Sequence, residues 1–333
     1  MSEYIYYPGC SLEHNAKSYH DSLSFVCEKL EVELAEINDW NCCGATEYLG
    51  INLTPAYALI TRNLALASEQ ANGTNTVVAP CSACYLNLSK ADYYMQEQPK
   101  LGTQVNEALE AGGLSYQPGS LDIRHMLDVL VYDVGLDAIK SKVVKPLTGL
   151  RVAPYLGCMV PRPDYEKRWS DHENPIELDL LLEILGADVV DFPLKSHCCG
   201  GHMPHIGPDT AYELIHRLLS SADEHETDIM ATLCPMCQMN VDAYQDETNR
   251  YFGTDFKTPI VFFTQLIGLA FGAKPKELGF GSELVSTKKA LSKIGTAVPG
   301  MKKSPRKSKK KKGLPMPNPL PSGIHINEEE VIR

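Results

Sequence analysis

A chain of 333 residues, 44% hydrophobic and 22% charged, is long enough for two full domains and has the balance of an ordinary soluble protein. The net charge of −11 conceals eleven Lys and Arg with no acid between residues 288 and 312, so the rest of the chain stands at −22. That split argues against nucleic acid, whose binders carry their basic side chains on folded faces.

The opening EYIYYPG reads as a strand that ends in Gly just before Cys10. YHDSLSFVCEKL follows as an amphipathic helix, with Cys27 on its apolar face as a plain buried thiol. WNCCGATEYLG then sets Cys42 beside Cys43, ahead of Gly44. TPAYALITRNLALASEQ reads as a helix opened by a capping Thr. NTVVAP is a short buried strand that delivers Cys81 and Cys84 to the helix YLNLSKADYYMQ.

The order then begins again. LRVAPYLG is a strand ending in Gly before Cys158, and NPIELDLLLEILGA is a helix. HCCGG sets Cys198 beside Cys199, ahead of DTAYELIHRLLSSADEHE, a helix opened by a capping Asp. DIMATL is a strand delivering Cys234 and Cys237 to the helical QMNVDAYQDETNRYF. The apolar run PIVFFTQLIGLAFG near residue 260 is too short and interrupted to span a bilayer. No basic-then-apolar leader opens the chain, and a cytoplasmic location is the expectation.

Ten of the eleven cysteines thus obey one rule written twice. YYPGCS answers PYLGCM, NCCGA answers HCCGG, and APCSACYLN answers TLCPMCQMN. Cytoplasmic thiols stay reduced, so metal or redox chemistry is a better expectation than a disulfide framework. Structural zinc takes four ligands, which leaves one cysteine over in each half. A cubane cluster also takes four thiolates, and the ferredoxin run C-x₂-C-x₂-C is missing. Five thiolates from three remote loops suit a cluster with more iron corners or an unusual shape. A glycine after the adjacent pair lets the backbone approach such a group. Strands alternating with helices predict a parallel-type α/β layer fold in each half, with ligands at the carboxyl ends of the strands. The expected divisions are residues 1–148, residues 149–275, and a largely disordered Pro/Lys-rich basic tail at 276–333.

Over about residues 1–275 the doubled pattern resembles the cysteine-rich CCG family, in particular the HdrB subunit of heterodisulfide reductase and its bacterial relatives. The resemblance implies two homologous domains related by a pseudo-two-fold, each holding one non-cubane [4Fe-4S] cluster. The matching positions are Cys10, Cys42, Cys43, Cys81 and Cys84 for one cluster, and Cys158, Cys198, Cys199, Cys234 and Cys237 for the other. The implied reaction is reduction, or in reverse formation, of a disulfide between the two clusters, each supplying one of the two electrons required. The chain has no GxGxxG motif, so the implied electron suppliers are a small ferredoxin-like iron–sulfur subunit (HdrC-like) and a flavoprotein subunit (HdrA-like). A second reading keeps the same ligands in an electron-transfer subunit of a succinate or fumarate:quinone, or lactate or glycolate, oxidoreductase. A zinc scaffold is the non-redox alternative.

His202 and His205 follow the second CCG motif and are candidate proton donors, or else hydrogen-bond donors to the ligands and solvated loop residues. His14 is a weaker candidate for the same part. Lys17 and Lys195 are candidates for binding an anionic substrate, against plain solvation. The tail fits a tether to an acidic partner or a peripheral contact with an anionic membrane surface, and nothing else in the chain supports nucleic acid.

Overall fold

A computed structural model describes residues 2–296 apart from 46, 72, 164, 166 and 167. The strand sequences are short and buried, and all of them pair in parallel. β1 (Ser2–Tyr6), β2 (Val32–Glu36), β3 (Thr76–Ala79) and β4 (Asp122–His125) form one sheet in the order β2-β1-β3-β4. β5 (Arg151–Tyr155), β6 (Asp188–Val189), β7 (Ile229–Thr232) and β8 (Ile260–Phe262) repeat it as β6-β5-β7-β8. Pairing of Ile5 with Val77, and of Val152 with Ile229, sets the register of the two central pairs. Parallel strands need crossovers, and helices supply them. Lys17–Leu30, Leu53–Gln70 and Ser82–Glu97 serve the first sheet, and Glu177–Ile184, Pro208–Glu224 and Pro235–Ala243 the second.

In this strand order the chain leaves β1 to one side and returns to the other, so a switch point lies between β1 and β3, and between β5 and β7. Ligands of open parallel sheets bind there, beyond the strands' carboxyl ends. Every repeated cysteine follows the first, second or third strand of its sheet. The fourth strand carries none and ends in His125 or Phe262.

The two sheets belong to one compact unit. Tyr19 of the first half stacks on Phe262 of the second, with ring centroids 4.3 Å apart. Ser22 and Thr264 share a buried hydroxyl contact of 2.7 Å. In the reverse direction Arg168 donates to the Ile123 carbonyl and pairs with Asp122.

Three details differ from the sequence expectations. Thr54 and Asp209 do not cap their helices, which begin at Leu53 and Pro208 after Asn52 and Gly207, with no side-chain cap. The helix after Cys237 breaks at Tyr244 into Pro235–Ala243 and Gln245–Phe252. The packed body also runs past residue 276. Leu278 and Ala290 are buried, the Leu284 and Val285 amides donate to Asp242, and the Gly295 amide donates to the Thr148 carbonyl. Apolar residues spaced among the lysines anchor this stretch. The expected tail at 297–333 lies outside the described residues. Among the described residues no helix is long and apolar enough to cross a membrane.

Candidate metal centre

Each thiol is placed by local backbone chemistry. Cys10 and Cys158 follow Gly9 and Gly157, whose φ values of 74° and 70° favour glycine. A Cβ on Gly9 would stand 2.7 Å from Cys84 Sγ, and one on Gly157 3.0 Å from Cys237 Sγ, so both glycines leave the room that a thiol occupies. Gly44 and Gly200 also take positive φ, and their amides donate to Cys42 Sγ and Cys198 Sγ at 3.4 and 3.3 Å. Cys81 and Cys234 occupy the positions just before the helices Ser82–Glu97 and Pro235–Ala243, without a side-chain cap bond, and Cys84 and Cys237 sit in the first turns. The positive end of each helix dipole favours thiolate there.

Side chains invisible to a cysteine count hold these loops. Tyr7 and Tyr155, three residues before Cys10 and Cys158, are fully buried and donate to the carbonyls of Asn41 and His197. Those residues immediately precede the adjacent cysteine pairs. Asn87 Nδ2 donates to the carbonyls of Cys43 and Ala45 at 2.9 and 2.6 Å. Asn240, its equivalent, donates to the Gly201 carbonyl and to Cys199 Sγ at 3.6 Å. The signal for all four lay in the repeated strings around the cysteines.

The thiols are strung in series. Cys10 Sγ lies 3.5 Å from Cys42 Sγ, and Cys43 Sγ lies 3.5 Å from Cys84 Sγ. Side-chain contacts join Cys42 to Cys43 and Cys84 to Cys81. The second half runs likewise from Cys158 through Cys198, Cys199 and Cys237 to Cys234. The two sets of five thus stand around separate spaces, with Cys81 and Cys234 influencing each other's protonation across the halves. Among the described residues no three or more His, Cys, Asp or Glu are gathered as for a single metal ion. Cys10 is exposed, Cys42, Cys158 and Cys198 are half-buried, and the other six are buried, as is Cys27, whose thiol burial pushes up to about 12.

Protons are shared unevenly among these thiols. Hydrogen bonds from Cys10 and Cys43 hold the Cys42 thiol well below its usual range, and Cys158 and Cys199 do the same for Cys198. Cys10 and Cys158 are pushed up by the same bonds, and then by burial. Cys237 and Cys81 hold Cys234 down, while Cys81 is pushed up by its bond to Cys234. Cys42 in the first set and Cys198 and Cys234 in the second are thus held toward thiolate, while the other seven thiols are held protonated, and a metal must displace their protons as it binds.

The five thiols of the first half line a cavity of about 390 Å³, to whose wall the second half contributes His202, Pro235, Met236 and Met239. Cys10 through Cys84 thus have both the donors and the room for a multi-iron group. The second set has the same donors around a void of only about 10 Å³, bounded in part by Ser82, Met159 and Met236. Its side chains must part to admit such a group. A wider surface cleft of about 570 Å³, beside Asp246, Glu247 and Arg250, touches none of the thiols.

The structure separates the remaining candidates. His202 reaches the first-half cavity, whereas His205 faces the Tyr244 ring at 6.4 Å. His14 and Lys17 are exposed. Lys195 is buried, donating to Asp179 at 2.8 Å and to the Pro175 carbonyl, which gives it a structural role rather than an anion to bind.

Residues 4–89 and 152–242 match the cysteine-rich domain model named CCG, and these two stretches carry both cysteine sets. The chain belongs to the CCG cysteine-rich domain family. It is 33% identical over 289 residues to the 8-methylmenaquinol:fumarate reductase membrane anchor subunit of Wolinella succinogenes, covering 87% of this chain and 99% of that one. It is 28% identical over 297 residues to the HdrB subunit of the ferredoxin/F(420)H(2)-dependent CoB-CoM heterodisulfide reductase of Methanosarcina acetivorans, covering 88% and 97%. Both relatives are named as subunits of oxidoreductases. A hypothetical protein from Helicobacter pylori shares the fold, with a TM-score of 0.65 at 15% identity over 86% of this CCG chain. This chain spans about half (52%) of that solved one.

Proposed function

We propose that the chain is the iron–sulfur redox subunit of a multi-subunit oxidoreductase. Cys10, Cys42, Cys43, Cys81 and Cys84 would hold one [4Fe-4S] cluster, and Cys158, Cys198, Cys199, Cys234 and Cys237 the other. The observation that carries this reading is the gathering of all five repeated thiols of each half, from three remote loops, around one space. Five donors per set, one more than a cubane uses, support the non-cubane form. Such clusters supply one-electron transfer. The chain's own contribution is to present thiolates, bury the inner six thiols and bring one imidazole to the cavity.

Of the two reactions that fit these ligands, electron exchange with a quinone couple is favoured. A disulfide split between two centres needs both sets to open on one cavity. Here the cavity meets the first set, with Tyr48, Ala83, Pro235, Met236 and Met239 as largely apolar walls, and Met236 stands between it and the second set's void. The relative named for methylmenaquinol and fumarate is consistent with this. His202 is the candidate for holding a proton at the cavity. Disulfide reduction is the second reading, supported by the relatives named as HdrB subunits of heterodisulfide reductases. Either reaction implies partners: a small ferredoxin-like iron–sulfur subunit and a flavoprotein. The lysine-rich stretch at 302–312 would hold the subunit to an anionic membrane surface or an acidic partner, an association that should fade with salt.

The test is anaerobic purification with the partner subunits, followed by iron, acid-labile sulfide and zinc analysis with EPR. About eight irons are expected, from two four-iron clusters. Stoichiometric zinc without sulfide would overturn the cluster reading. The complex should then couple menaquinol oxidation to fumarate reduction, and both Cys42→Ala and Cys198→Ala should reduce turnover to background. Turnover of a low-molecular-weight disulfide, with no quinol activity, would replace this reaction with the second reading.

A further inference from the structure

The first CCG motif seats a ring that its repeat lacks. A Cβ on Gly44 would stand 2.1 and 2.3 Å from Cδ2 and Cγ of Tyr48, so the tyrosine ring lies directly against the bare glycine. At Gly200, the matching position, a Cβ would meet only Ala211 and Leu214, at 3.5 Å or more. Gly44 therefore does two things: its amide donates to Cys42 Sγ, and its missing side chain makes room for Tyr48. Tyr48 stands on the short helix Glu47–Ile51, half-buried, and lines the first-half cavity. His202, which follows the second CCG motif, lines the same cavity from the other half. The halves thus bring one hydroxyl and one imidazole into a space walled largely by thiols, Pro235, Met236 and Met239. Ser11 and Asn15 are the other polar side chains there, and the Asn15 amide is turned to Met239 Sδ at 3.7 Å. A hydroxyl and a neutral imidazole each donate and accept hydrogen bonds. They suit an oxygen that is a carbonyl in one redox state and a hydroxyl in the other. The sulfur of a disulfide or thiol bonds weakly to such groups and gains little from them.

We propose that Tyr48 is a substrate-binding residue for a quinone couple, its hydroxyl bonding one ring oxygen while His202 bonds the other. This rests on the quinone reading above. The quinone carbonyl accepts from the Tyr48 hydroxyl, and the quinol hydroxyl donates to the same oxygen, so one side chain holds both redox states. The ring is already set against Gly44, so its hydroxyl loses little freedom when substrate arrives. The apolar walls take the substrate's ring, and the two polar groups fix its orientation.

The test uses the full chain in complex with its partner subunits, and 2,3-dimethyl-1,4-naphthoquinone as the probe. Tyr48→Phe keeps the ring on Gly44 and removes only the hydroxyl, so iron content and EPR signals should match the wild type. Its Kd for the probe should rise about tenfold, the worth of one hydrogen bond. Infrared difference spectra of the bound probe give a second readout, independent of turnover. In the wild type both carbonyl stretches should be lowered by hydrogen bonding. Tyr48→Phe and His202→Leu should each return one stretch to its free value, and the double variant should return both. If the wild type binds the probe and Tyr48→Phe changes neither affinity nor stretch, the role of Tyr48 is overturned while the quinone reading stands. A double variant that frees only one carbonyl would overturn the two-oxygen arrangement. A wild-type complex that keeps its iron signals yet binds no probe would refute the quinone reading, and this inference with it.

Discussion

The two halves share a frame and differ in what fills it. Tyr7 and Tyr155, Gly9 and Gly157, Asn87 and Asn240, and five cysteines each stand in matching places and make matching bonds. The residues between them do not match. The CxxC pairs enclose Ser82 and Ala83 in one half and Pro235 and Met236 in the other. The fourth strand ends in His125 in one sheet and Phe262 in the other. One set opens on about 390 Å³, and its twin on about 10 Å³. The repeat therefore fixes where the donors stand, and the unrepeated residues decide what reaches them.

The largest effect expected from breaking this difference is at His125. Burial pushes its imidazole down from 6.5 to about 4, with the Pro80 carbonyl and Cys234 opposing. Its Nδ1 accepts from the Leu127 amide at 3.1 Å, while Nε2 makes no hydrogen bond of ordinary geometry. Between pH 6.5 and 4 the unfolded chain protonates this residue and the folded one does not. Stability present above pH 6.5 is thus lost on acidification, by about 3 kcal/mol when pH 4 is reached. His125→Phe, which copies Phe262, should remove that slope in denaturant titrations of the metal-free chain. An unchanged slope would mean that the imidazole is not held neutral in the fold.

The central strands were legible in the sequence and the edges were not. β1, β3, β5 and β7 lie between neighbours, so their apolar content is dense and their ends are marked by Gly, Pro or Cys. β2, β4, β6 and β8 are outer strands. VELAE leaves most of its length exposed, β6 has two residues, and β8 is hidden in an apolar run because Phe262 passes directly into the helix Phe263–Ala270. The thiol positions were legible because they are written twice. The placing of Met236 was not, since it depends on how one half packs on the other. The asparagines were legible in principle, because CYLN and CQMN repeat them, but their chemistry is a bond to backbone rather than to metal.

Those asparagines offer an intermediate test. Asn87→Ala removes the donor to two buried carbonyls, Cys43 and Ala45, and should cost about 2 kcal/mol of stability. Asn240→Ala should cost a similar amount through the Gly201 carbonyl. The two should part in their redox effect. Asn240 also donates to Cys199 Sγ, so its loss should move the second-half midpoint in EPR titrations, while Asn87→Ala leaves the first-half midpoint nearly in place. Equal shifts in both halves would mean that loop position, and not the hydrogen bond to sulfur, sets the potential.

The smallest effect on stability, and the sharpest probe of the comparison, is expected at Met236. Its side chain lines both the first-half cavity and the second-half void, and its sulfur stands 3.6 Å from where a Cβ on Gly201 would be. Ala83 occupies the equivalent place in the other copy. Met236→Ala should cost only about 1 kcal/mol, below the range for fully buried methionines, because the residue is half-buried. It should also join the two spaces, so that N-ethylmaleimide entering by the cavity reaches Cys199 and Cys237 sooner in the metal-free chain. Ala83→Met should act in the opposite sense, slowing Cys43 and Cys84. Peptide mapping over time gives the order of labelling, and the double swap should reverse that order between the halves. If the first set is still labelled ahead of the second after both substitutions, access is set by the loops at 44–53 and 200–209 rather than by the CxxC interior, and Met236 is only filler.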